Sequence, residues 1–213
     1  MPWRYPLLPS YAERANVSKT TPELQRTELI SDWPDIAFQY YVLARAAKQR
    51  YFWYAAGGCA HFAVEVILKY VLVVPHLFNG KTWPNRGPIV EPDQIRGHRL
   101  PKLWDEFGAA YPDHPLGRFT EFINELDRWG AIRYAQIGHT GAVFTPTLES
   151  AAVSRKSNPD SPHEVYAFDL GQLDHFFREV LDFIGADRYL MGSQYMVLGG
   201  RDLYEKDNPF AIK

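Results

Sequence analysis

Between positions 35 and 48, apolar side chains at Ile36, Ala37, Tyr40, Tyr41, Ala44 and Ala47 return every three or four residues. That period lines one face of a helix. Ser31 or Asp32 followed by Pro34 marks the start, because proline is tolerated in a first turn. A second helix is predicted from Arg50 to Val74, with Val64, Ile67, Leu68, Val71 and Leu72 on its apolar face and Pro75 at its end. No proline or turn signal divides these two helices, so their boundary is the least defined in the chain. Gly57 and Gly58 each cost a helix about 1 kcal/mol relative to alanine. With Ala55, Ala56 and Ala60 they predict close approach of a neighbouring helix. After a loop over 76–97, a third helix is predicted from Leu100 to Ala110, with Leu103, Trp104 and Phe107 inward. Pro115 opens a fourth, Leu116 to Tyr134, whose stripe is Phe119, Phe122, Ile123, Leu126 and Trp129.

Beyond Tyr134 the pattern changes. The runs 142–148 and 164–168 read as strands, and the polar stretch Ser154 to Pro162 between them reads as the tip of a hairpin inserted over about 140–168. A fifth helix follows from Leu170 to Ile184, with Leu173, Phe176, Phe177, Val180 and Leu181 inward. Residues 1–33, broken by Pro2, Pro6, Pro9 and Pro22, form an irregular N-terminal arm. Residues 185–213 form a Gly-rich, aromatic extension that packs back on the bundle or exchanges with a partner. The predicted fold is therefore mostly α: an antiparallel bundle of four to five helices over 34–184, with an inserted β-hairpin and irregular terminal arms.

Composition narrows the function more than the fold. With 46% hydrophobic and 23% charged residues, the 213-residue chain can bury a full core. Lys+Arg 23 against Asp+Glu 25 leaves a net charge of -2, which argues against a grip on specific duplex DNA. A single cysteine, Cys59, excludes an internal disulfide and any multi-cysteine metal site. The start, Met1 to Pro6, lacks the apolar stretch of a secretory signal. The most apolar segment, Tyr51 to Val74, is interrupted by His61, Glu65 and Lys69, so a core helix is expected there and no membrane partner. A cytoplasmic location follows as the expectation. No cofactor or metal is expected either: Gly57-Gly58 is not followed by the Lys-Ser/Thr of a phosphate loop, no Gly-x-Ser-x-Gly occurs, and His163 and Asp174-His175 have no metal spacing.

Two polar groups stand out. His61, Glu65 and Lys69 are spaced i, i+4, i+8 and share one row of the second helix; either they form a solvated stripe or they line a cleft. Arg50-Tyr51-Phe52-Trp53 interleaves aromatics with a cation, as base-stacking surfaces do, although core at the head of helix two is the expected role.

The segment Ala60-His61-Phe62-Ala63-Val64-Glu65-Val66-Ile67-Leu68-Lys69-Tyr70-Val71-Leu72 resembles the second helix of HEPN domains. Gly97-His98-Arg99-Leu100-Pro101-Lys102-Leu103 resembles the Gly-His-x-Leu-x-x-Leu opening of that family's next helix, and Arg133-Tyr134 follows a long amphipathic helix as a similar pair does in many members. The resemblance covers about 35–184. It implies a helical bundle, often a homodimer, and in many members a metal-independent ribonuclease of toxin–antitoxin, phage-defence or RNA-processing systems. It also implies a catalytic Arg, four to six residues, then His. Arg133 and His139, five residues apart, fit. A guanidinium holds a phosphate in a bidentate way, and an imidazole exchanges protons near neutral pH. His61, Glu65, Lys69, His98 and Tyr134 would form a supporting polar seam. The sequence departs from the pattern in having Tyr134 where catalytic members usually carry a small polar residue, and in the helix-breaking Gly138 and Gly141 around His139. Arg133 as a helix C-terminal cation remains the alternative. RNA binding or cleavage is the expectation; a non-catalytic adaptor of the same fold, bound to a protein partner, is the other.

Overall fold

The undefined boundary between the first two helices is closed by a three-residue turn. Phe52 N–H donates to the Ala47 carbonyl at 2.8 Å and Tyr51 N–H to that of Lys48 at 3.0 Å, the paired bonds of a Schellman motif. Tyr51 occupies the left-handed position of that motif, at φ 63°, where glycine is usual. This is why no turn residue betrayed the break. Helix α1 (Trp33–Gln49) ends here and α2 (Trp53–Leu77) begins. The computed structural model describes residues 33–77, 95, 97–130, 145–147, 165–167, 169–183 and 200–211. The predicted arm before Trp33 and the predicted hairpin tip lie outside them.

The described residues are mostly helical, and their relative directions follow from which residues meet. Ten residues before the turn, Tyr40 packs edge-on against Phe62, ten residues after it, with ring centroids 4.4 Å apart. So α1 and α2 are antiparallel. Helix α3 (Leu100–Ala110), the 3-10 segment Pro115–Phe119 and α4 (Thr120–Asp127) follow. The Leu100 amide meets Asp127 while the Trp104 indole donates to Thr120 Oγ1 at 3.0 Å, which makes α3 and α4 antiparallel as well. Between α2 and α3 the sense is shared: His98 meets Glu65, and Tyr111 donates to the Val71 carbonyl at 3.0 Å. A strictly antiparallel bundle is thus corrected at this step, because α3 starts beside Glu65, in the middle of α2, and runs toward the end of that helix.

Helix α5 (Leu170–Phe183) packs Phe176 and Phe177 into the core, and Tyr41 stacks on Phe177 at 4.4 Å. The core of α2 is nearly continuous: Ala60, Ala63, Val64, Ile67, Leu68, Val71 and Leu72 are fully buried. Trp53–Val73 is long and apolar enough to cross a membrane by length and composition, and most of that stretch is buried within the protein. Gly57 is required by contact with a side chain, where a helix backbone was expected: a Cβ there would collide with the buried Trp129 indole, whereas one on Gly58 would meet nothing.

The predicted hairpin needs correction. Strands β1 (Thr145–Thr147) and β2 (Val165–Ala167) fall inside the predicted runs, but they pair in parallel, Thr145 opposite Val165 and Thr147 opposite Ala167. Parallel neighbours require a crossover, which a tight turn cannot supply. Tyr166 anchors this pair on the end of the fourth helix, 5.7 Å from the Trp129 ring and under the Arg128 guanidinium.

A second buried feature is polar. Arg45, fully buried, pairs with Asp174 and donates to the carbonyls of Leu203 and Lys206. The Tyr41 hydroxyl donates to Asp174 at 2.7 Å and accepts from Asn208 at 3.0 Å. These bonds seat 200–211, including the short helix α6 (Gly200–Glu205), against α1 and α5. Burial pushes Asp174 up, and Arg45 and Tyr41 pull it back. Burial, with Asp174 beside it, raises the Tyr41 phenol. Burial lowers the Lys48 ammonium to about 8, against the pull of Asp169 and Asp174.

Candidate functional site

Three adjacent turns of α2 carry His61, Glu65 and Lys69, and the helix is buried deeply enough there that the row cannot be a solvated stripe. His61 is fully buried and Glu65 is 2% exposed. A carboxylate in that position needs partners, since an uncompensated buried charge is costly. Glu65 Oε1 receives Lys69 Nζ and His98 Nδ1, each at 2.8 Å. Lys69 comes from one turn further along the same helix. His98 comes from the segment before α3, reached through Gly97 at φ +117°, a conformation that glycine adopts without strain.

The structure adds two residues that the sequence left unassigned. Asp127 Oδ1, at the end of α4, accepts the Leu100 amide at 2.7 Å and so caps the start of α3 from another helix. The Arg99 side chain, otherwise in solvent, approaches Asp127 Oδ2 at 3.8 Å. His61 lies between the two carboxylates, Nδ1 3.9 Å from Glu65 and Nε2 3.9 Å from Asp127. Burial raises Asp127, but His61, the Leu100 amide and Arg99 outweigh it and hold the carboxyl below its ordinary range. Asp127 had one legible signal. It stands four residues after Ile123, so the buried row of α4 carries an acid.

Glycine makes room for this arrangement. A Cβ on Gly130 would lie 2.6 Å from His61 Nε2, so the imidazole occupies space that any other residue would fill. The result is an acidic interior, Glu65 and Asp127, faced by His61 within and by Lys69, His98 and Arg99 toward solvent. Such a cluster can hold the three helices in register, with Lys69, His98 and Arg99 each set against a carboxylate. Among the described residues, no group of three His, Cys, Asp or Glu side chains is arranged to hold a metal ion.

Of the predicted site residues, the structure thus brings together His61, Glu65, Lys69 and His98. Arg133, Tyr134 and His139 lie outside the described residues. Arg50-Tyr51-Phe52 is corrected: the segment is exposed at the α1–α2 turn and is no part of the core. Compared with protein-family models, with characterised proteins and with solved structures, the chain matches none.

Proposed function

We propose that this chain is an RNA-binding protein of the HEPN type that cleaves RNA without a metal, acting as a homodimer in a toxin, defence or RNA-processing setting. Arg133 clamps the scissile phosphate, and His139 takes the 2′-hydroxyl proton or returns one to the leaving oxygen. One observation supports this best. Two separate segments that carry the family resemblance, one on α2 and one opening α3, meet through Glu65, Lys69 and His98 at 2.8 Å. Segments 33 residues apart that share one ionic cluster behave as one motif.

A second reading has its own support. The central members of the cluster, His61 and Glu65, are too deeply buried to touch a polymer, which suits an adaptor whose seam holds helices and whose partner is another protein.

Incubation with mixed RNA in EDTA separates the two. Cleavage by the wild type that disappears in Arg133→Ala/His139→Ala supports the enzyme. Equal cleavage by both proteins, or none by either at stoichiometric concentration, leaves the adaptor.

A further inference from the structure

We propose that the α1–α2 turn is a stacking platform for the bases of single-stranded nucleic acid, with Tyr51 and Phe52 as its rings and Arg50 as its cation. The inference rests on the RNA-binding half of the function proposed above and needs no cleavage.

The rings contribute little to the fold. Tyr51 is 73% exposed and Phe52 66%, so neither buries the area that justifies a large aromatic in a core. Tyr51 moreover occupies the left-handed position of the Schellman turn. A residue with a Cβ is disfavoured there, and glycine would close the turn without that cost. The turn therefore carries a strained backbone that projects a ring into water. Strain of this kind accompanies sites whose side chain is used by something outside the fold. Trp53 meets Tyr51 edge to face, centroids 5.9 Å apart, and Tyr54 extends the aromatic run at half exposure.

Charge decides what kind of partner fits. From Ile36 to Val64 the chain holds no Asp or Glu, although 25 of its 213 residues are acidic. The same stretch contains Arg45, Lys48 and Arg50. Arg45 is neutralised by Asp174 and Lys48 is buried, whereas Arg50 is exposed beside the rings. Flat π faces next to a guanidinium, with no carboxylate from the same stretch to repel phosphate, match the bases and backbone of a single strand. A duplex hides its base faces and offers only phosphates, for which a single arginine is a poor grip.

The test uses the full chain and a fluorescent 12-nucleotide 2′-O-methyl RNA of mixed sequence, which lacks the hydroxyl needed for cleavage. Anisotropy reads binding, with a DNA strand and an RNA duplex as further arms. Tyr51→Gly is the informative variant, because it removes the ring while relieving the turn. Tyr51→Gly and Phe52→Ala are each expected to weaken binding about tenfold, within the range for a base stacked on one aromatic side chain. Thermal melting should show Tyr51→Gly at least as stable as the wild type. With Arg50 contacting one phosphate, log affinity should fall with log salt at a slope of about -0.7. RNA and DNA strands should bind alike and the duplex poorly.

Binding unchanged in both variants overturns the proposal, as does absence of binding. Rings whose loss instead abolishes self-association or adhesion to anionic vesicles, with no effect on the oligonucleotide, also overturn it. The ribonuclease assay fails separately. Ring-dependent binding without cleavage removes only the enzyme, and cleavage with ring-independent binding removes only the platform.

Discussion

Replacing Lys48 with methionine should stabilise this protein at neutral pH, and the gain should disappear in alkali. Lys48 is buried on α1, near Asp169, Asp174 and the Arg45 guanidinium. Burial outweighs the two carboxylates and lowers its ammonium from 10.5 to about 8. At 1.36 kcal/mol for each tenfold change in proton affinity, holding that proton in the folded state costs about 3 kcal/mol below pH 8. Methionine keeps the length of the side chain without the charge; the polar interaction that the ammonium gives up offsets about 1 kcal/mol. A net gain of about 2 kcal/mol at pH 7 is expected.

The sign with pH follows from proton counts. Below pH 8, folded and unfolded chains both carry the Lys48 proton, so the cost is full and constant. Between about 8 and 10.5 the folded chain releases it while the unfolded chain keeps it, and wild-type stability rises relative to the variant. Near pH 10.5 most of the advantage of methionine should be gone. Tyr41 and Cys59, both raised by burial, make either protein less stable in the same window, and they cancel in the difference. Urea melts of the two proteins at pH 7, 9 and 10.5, followed by tryptophan fluorescence, give that difference directly. A variant less stable than wild type at pH 7, or one whose advantage persists unchanged at pH 10.5, refutes the reasoning.

Two further substitutions probe the packing. Gly57→Ala drives a methyl into the buried Trp129 indole and should cost about 3 kcal/mol, whereas Gly58→Ala, with nothing within 4 Å, should be neutral or favourable; equal melting temperatures for the pair would contradict the contact. Asp174→Ala strands the buried Arg45 and should cost about 3–5 kcal/mol, with the backbone of 200–211 exchanging its amide hydrogens faster; protection there unchanged would show that the C-terminal segment is held by something other than Arg45.

Much of the architecture is legible in the chain because burial follows periodicity. The inward rows of α2, α3 and α5 can be read from spacing alone, because apolar residues three and four apart fall on one face of a helix; α2 is buried more widely than its apolar row, His61 and Glu65 included. The polar row His61, Glu65, Lys69 is equally visible. What spacing cannot say is whether a polar row meets water or another helix, and here Glu65 found Lys69 and His98. Asp127 and Arg99 joined the cluster through contacts between elements, and only Asp127 had a faint signal, an acid in the buried row of α4. Strand runs carried no direction: alternation marks a strand but not the sense of its neighbour, so a parallel pair passed for a hairpin.

Local sequence determined which segments are helices and which of their faces are apolar, because both depend on neighbours three and four residues away. The tertiary structure decided the rest: a tyrosine where a turn would take glycine, an arginine neutralised by an acid 129 residues distant, and an aromatic run turned outward where a core was expected. Each depends on the surroundings that folding assembles, and contacts between residues far apart in the chain leave no periodic trace.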